Sequence, residues 1–543
     1  MARATRGVRA AVVFASVALA AAACGSSSGG GGAAPSGNAS TTGGGNTGSS
    51  NNNSVIIWGS TDKPVSYDPA GSYDLPSWNV VYNVYQTLVR VDAATQKTVP
   101  DAAQSCDPSK DFKTWTCKLK PNLKFSNGDP LTSQDVKFSF DRVLKINDPS
   151  GPSSLLGKVK TDAPDPQTVV FHLSDPNSLW NYIISTGAGA IVDHNVFPAD
   201  KKLGDDKVVG SGPYQLKAYQ PGQVAQFVPN KNYTGDLKVS NGGLVIQYYQ
   251  DENALKLDLE QGKVDVAYPA LSPTALNELK GKSGINEVSG PGGFITYMVF
   301  NLNTMPGDSP AQKRAIRRAI AYLVDRESIA KNVYQGTVDP LYSMVPVGLD
   351  GHEDVYKTEF GASPDKAKAQ AELQKAGVSA PVKVQIWWTP SHYGALSGDM
   401  YTEIKRQLEG SGLFKVDLQS TEWEQYSSNC LADKCPIFQL GWFPDYPDTD
   451  DYVAQFYGTT SFLNNHYTNP KVDQLIKDEK GSTDAARRTA DFKKIQEASV
   501  ADTPVLPIWQ GKQIAVTHGQ VSGLQQTLLP DYIFRFWVLS KSS

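Results

Sequence analysis

The densest chemistry in the 543-residue chain lies in ten residues, Gln439-Leu440-Gly441-Trp442-Phe443-Pro444-Asp445-Tyr446-Pro447-Asp448. Three aromatics, two prolines and two carboxylates stand together there. Pro444 and Pro447 prevent a regular helix and stiffen the backbone. A carboxylate held between aromatic rings on a stiff loop suits capture of a cationic group in a pocket. The same composition also serves a surface turn whose rings pack inward.

Candidates for catalysis are sparse. The six histidines are His172, His194, His352, His392, His466 and His518, and no two stand at H-x3-H spacing. His352-Glu353 lacks the second His of a zinc-protease helix. A G-x-S-x-G match at Gly25–Gly29 and a G-x-G-x-x-G match at Gly43–Gly48 fall in a low-complexity run. Neither lies between a strand and a helix, so both are accidents of composition. No P-loop is present. The pattern reads as a binder rather than an enzyme, with no metal and no cofactor implied. Net charge is −4, and no Lys/Arg run breaks the acidic balance. Such a chain repels a phosphate backbone, which excludes nucleic acid as a partner.

The N-terminus carries an export pattern. Arg3, Arg6 and Arg9 precede an apolar run from Ala10 to Ala23 that is too short to span a bilayer. Small residues then lead into Cys24-Gly25, which resembles a bacterial lipobox, with Ala21 where Leu is usual. The expectation is a signal peptide over 1–23 and a diacylglyceryl group on Cys24. Residues 25–53 are Gly, Ser, Asn, Thr and Ala almost throughout, without a charge. They cannot bury enough apolar surface to order, and read as a tether spanning roughly 30 Å. The remaining cysteines fall into two close pairs, Cys106 with Cys117 and Cys430 with Cys435. Outside the cytoplasm these suggest two local disulfides.

From Ser54 onward strands and helices mix. Val55 to Trp58 and Val382 to Trp388 read as strands, as does the alternation from Cys117 to Phe125, which ends in a turn at Asn127-Gly128-Asp129-Pro130. Thr132 or Ser133 caps a helix carrying Val136, Phe140, Val143 and Leu144. Further helices are expected over Asn253–Gln261, from Ser309-Pro310, from Ser363-Pro364-Asp365 to Gly377, and over Ala485–Val500. The class is α/β or mixed α+β.

Seven landmarks then occur in a fixed order. They are Leu119 to Gly128 with Asp135 to Ser139, Gly210-Ser211-Gly212-Pro213-Tyr214, Gln261-Gly262-Lys263-Val264-Asp265, and Phe300-Asn301-Leu302-Asn303. Arg317 to Tyr322, Asp325-Arg326-Glu327, and Gly441-Trp442 with Asp445 complete the set. In these the chain resembles the peptide/nickel family of ABC-transporter solute-binding proteins, family 5, over nearly all of residues 54–543. The resemblance implies a two-lobed, periplasmic-binding-protein type II-like fold with an additional domain on lobe I. Lobe I would comprise 54–75, 205–293 and 510–543, the extra domain 76–204, and lobe II 294–509. It implies a monomer on the outer face of the bacterial cytoplasmic membrane, enclosing an oligopeptide or dipeptide and delivering it to a permease. It places Asp445 on the ligand's α-ammonium, with Trp442 and Trp423 in the cleft and Gly441, Phe443 and Tyr446 beside them. Gln439 stands where oligopeptide binders can carry a cleft Arg.

Overall fold

In the computed structural model, residues 54–269, 271–390 and 392–541 are described. The export segment, Cys24 and the tether lie outside the described residues.

Two long strands carry the architecture. Ile285–Phe300 and Val505–His518 run antiparallel through an eleven-stranded sheet. Their pairing slips register between Pro291 and Ile295 and again at Thr296–Tyr297. Such irregularities bend and twist a strand locally. On one side of the first slip, Val505–His518 pairs with Val266–Ala267, and Val55–Ser60, Gly243–Tyr248, Val224–Pro229 and Tyr214–Gln220 follow. That side packs on a core of Ile56, Trp58, Phe227, Ile246, Phe534 and Phe536. On the other side Ile437–Trp442, Val382–Trp388 and Phe414–Ser420 continue the sheet. Their cores gather Met298, Phe300, Ile320 and Ile404 on one face and Tyr297, Tyr426, Phe438 and Phe456 on the other. The two lobes thus share one pair of strands. Glycine is required where these strands pass other chain: a Cβ at Gly290 would stand 2.0 Å from the Leu528 carbonyl oxygen.

A third core sits on a separate four-stranded antiparallel sheet, Ala103–Pro108, Thr114–Leu119, Thr168–Leu173 and Val159–Asp165 in order across it. Cys106 and Cys117 face each other across its first two strands and are disulfide-bonded. Helix Ser133–Ile146 covers it with Val136, Phe140 and Val143 inward. Thr132 and Asp135 form a capping box at its start, satisfying two of the free backbone donors.

The local readings hold at most helix ends, with two differences. The strand expected to reach Phe125 stops at Leu119. Pro121 has no N–H to continue a ladder, and Asn122 turns the chain at φ 59°. The helix expected from Ser363 is Lys366–Lys375, because Asp365 supplies the cap and accepts from the Lys368 N–H. Helix Pro310–Leu323 starts behind Ser309, and Ala485–Val500 matches the expected span.

Candidate functional site

Strand Ile437–Trp442 runs into the gap between the lobes and releases the chain at Phe443-Pro444-Asp445. The Cys430–Cys435 disulfide closes the turn that precedes it, behind helix Trp423–Leu431. Across the gap the N-terminal segment supplies Tyr73, Asp74 and Trp78. It is fixed by a buried ion pair in which both Asp68 oxygens accept from Arg142, at 2.7 and 2.6 Å. Asp74 then caps helix Leu75–Val84 by accepting from the Ser77 N–H. Between these elements lies a cavity of about 770 Å³, a size suited to a small organic ligand.

Asp445 lines this cavity and is only 8% exposed. The Tyr73 hydroxyl donates to its Oδ1 at 2.8 Å and reaches Oδ2 at 3.1 Å. Its backbone N–H donates to Asp451 Oδ2, and the Trp442 indole N–H donates to the same oxygen. Asp451 thereby sets the loop and the ring together. No ion pair among the described residues involves Asp445. Two bases that pair with acids following it in the chain are committed to those acids, Lys480 to Asp450 and Arg488 to Asp448 and Glu479. Burial therefore pushes the Asp445 carboxyl up to about 7, against the opposing pull of the Tyr73 hydrogen bond. Burial, and then the neighbouring Asp445, also raise Asp451 well above the usual carboxylate range. Two acids so placed hold fewer than two charges at neutral pH, and a cation arriving at Asp445 restores the missing one.

Aromatic faces make most of the remaining wall. Trp423 stacks on His392 at 3.7 Å between centroids, with Tyr393 edge-on at 5.5 Å. His392, covered on one face by that ring, has its pKa lowered by desolvation to about 4 and is neutral at pH 7. Trp442 stacks on Phe462, and Phe443 lies flat on Phe294 at 4.1 Å with Tyr532 at its edge. A Cβ at Gly441 would come 2.7 Å from the Tyr393 ring and 2.8 Å from Phe294, so the bare backbone leaves those rings their place.

Of the residues expected at the site, Asp445, Trp442, Trp423, Gly441 and Phe443 meet on one cavity. Tyr446 does not line it. Its hydroxyl donates to Asp450, and its ring packs into the core of the four-stranded domain against Tyr182. Gln439 is also off the wall, buried and donating to Ser397. Tyr73 and Asp451 belong to the site although nothing in their local sequence marked them. Among the described residues one set of groups, Asp135, Asp193 and His194, could hold a metal. It lies away from the cavity wall, and Asp135 is already engaged by Thr132 and His194.

Comparison with known proteins bears on the family and the fold. Residues 97–464 match the family model described as bacterial extracellular solute-binding proteins, family 5, middle. The chain is 28% identical over 510 residues to the probable D,D-dipeptide-binding periplasmic protein of Escherichia coli, covering 90% of this chain and 94% of that one. It is 25% identical over 500 residues to a dipeptide-binding protein of Bacillus subtilis, covering 87% and 89%. The fold matches that of a periplasmic binding protein of Helicobacter pylori solved with the peptide STSA, at TM-score 0.75, 19% identity and coverage of 90% and 98%. The family match spans more than half of the sequence and the fold agrees with it: the chain belongs to the bacterial extracellular solute-binding proteins of family 5.

Proposed function

We propose that the protein is the receptor of an ABC importer, enclosing an oligopeptide or dipeptide between its lobes and delivering it to a membrane permease. The observation that carries this is Asp445: a buried carboxylate in no ion pair among the described residues, in an aromatic cavity between two lobes. The α-ammonium of a peptide supplies the missing charge. The paired strands Ile285–Phe300 and Val505–His518, with their register breaks, are the hinge for closure. Lobe I is 54–75, 205–293 and 510–543, the extra domain 76–204, and lobe II 294–509. The receptor acts as a monomer on the outer face of the bacterial cytoplasmic membrane. A lipid on Cys24 holds it there, and the uncharged segment after it lets it turn toward the permease. It binds its ligand without altering it and needs no cofactor.

The pH dependence tests this reading. An ammonium favours the ionised carboxyl, so binding below pH 7 must displace a proton from Asp445. Calorimetry should give the highest affinity between about pH 7 and pH 8, with a loss approaching tenfold per unit below that range as Asp445 is protonated and above it as the peptide's own α-amino group loses its proton. Peptides recovered afterwards should be intact by mass spectrometry. Cleaved peptides, or an affinity that goes on rising as pH falls below about 6, would overturn the reading.

A further inference from the structure

The charges around the cavity are lopsided beyond what one ammonium anchor explains. Four carboxylates line it, Asp62, Asp74, Asp445 and Asp531, against one ammonium, that of Lys63. Asp531 is neutralised by Arg535, which donates to both of its oxygens. Lys63 extends toward the hairpin turn at Gly222, its Nζ 3.9 Å from where a Cβ there would sit. None of the ion pairs among the described residues uses Lys63. Asp62 and Asp74 therefore form a second acidic end, carried on the N-terminal segment. Asp74 accepts from the Ser77 N–H on one oxygen, while its Oδ2 is shielded from water and has no hydrogen-bond partner among the described residues. Burial raises both carboxyls, and the charge of Asp74 raises Asp62 further. A shielded carboxylate oxygen without a donor gains most from a cation brought by a ligand.

Resting on the reading of this cavity as a peptide site, we infer that the preferred peptide carries a second cationic group. A Lys- or Arg-type side chain reaches the Asp62–Asp74 end while the α-ammonium sits at Asp445. Peptides with acidic side chains are disfavoured, because they bring like charge into a site of low dielectric. The one ammonium on the wall, that of Lys63, is left for the C-terminal carboxylate.

The test is calorimetry of the purified protein with Ala-Ala-Ala, Ala-Lys-Ala and Ala-Glu-Ala, and with a linear alkyl diamine. The Lys peptide should bind about tenfold or more tighter than the Ala peptide, and the Glu peptide weaker than both. The paired variant Asp62→Asn/Asp74→Asn should erase the Lys advantage while weakening Ala-Ala-Ala much less than Ala-Lys-Ala. Asn keeps the helix cap that Asp74 provides, and a cooperative thermal unfolding transition reports the intact fold. Equal affinity for all three peptides, or a Lys advantage that survives the paired variant, overturns the charge preference and leaves the peptide receptor standing. Binding of the diamine as tightly as Ala-Lys-Ala overturns the peptide part. Binding of none of the peptides overturns the receptor reading and this one with it.

Discussion

Asp445→Asn should weaken binding of an amine-bearing peptide by about 2–5 kcal/mol, a fall in affinity of at least ~30-fold. Asn keeps the shape of the side chain and still accepts from the Tyr73 hydroxyl, but it cannot meet an ammonium charge. The same substitution should stabilise the unliganded protein. An acid whose folded pKa lies above its unfolded value contributes stability below the unfolded value, near 3.9, and loses it as pH rises through the folded one, here about 7. At pH 8 the ionised carboxylate is thus a burden on the empty protein. Removing it should add on the order of 4 kcal/mol at pH 8 and roughly a third of that at pH 5. Thermal unfolding of the free protein at the two pH values, beside calorimetry at pH 8, checks both signs. A loss of stability at pH 8 would show that Asp445 has a structural role instead.

Asp68→Ala should destabilise the protein by about 3–5 kcal/mol. The Asp68–Arg142 pair is almost fully buried, at 0% and 2% exposure. Removing the carboxylate strands a guanidinium that otherwise donates only to the Pro198 and Lys201 carbonyls. It also frees the N–H groups of Ala70 and Leu203, both of which donate to Asp68. The turn at Pro69–Gly71 then loses its anchor, and Tyr73 follows it. Denaturant unfolding should show the lowered midpoint, and affinity for peptide should fall as well, because Tyr73 orients Asp445 from that segment. A variant as stable as the parent would mean that the pair is not what fixes this wall.

Legibility in the sequence followed how local the cause was. Thr132 and Asp135 mark a helix start within four residues, and Ser309 and Pro310 do so within two, so those elements could be read directly. The loop from Gly441 to Asp445 was legible because two prolines and clustered rings leave few roles for an acid between them. Tyr73 was not, since it stands 372 residues from the carboxylate it holds. Asp451 reads like one of several acids opening a helix, and only the folded loop shows it accepting from two N–H groups. Tyr446 fails as a cavity residue for a reason that is itself local. The chain bends through Asp445 to Asp448, and the bend turns Tyr446 off the wall that Asp445 lines. With Asp445 facing the cavity, Tyr446 faces the other domain, where its ring closes a core. The acidic end at Asp62 and Asp74 was hidden for the same reason as Tyr73, because only the fold brings the N-terminal segment across from lobe II.

The central claim is that the charge of Asp445 holds the charge of a peptide's amino terminus. Calorimetry of a peptide and its N-acetylated twin, on the parent protein and on Asp445→Asn at pH 8, tests it most directly. The account predicts that acetylation lowers affinity for the parent at least ~30-fold and has little effect on the variant, because the two losses are the same interaction. Equal binding of both peptides to the parent protein, or equal losses on both proteins, would contradict it.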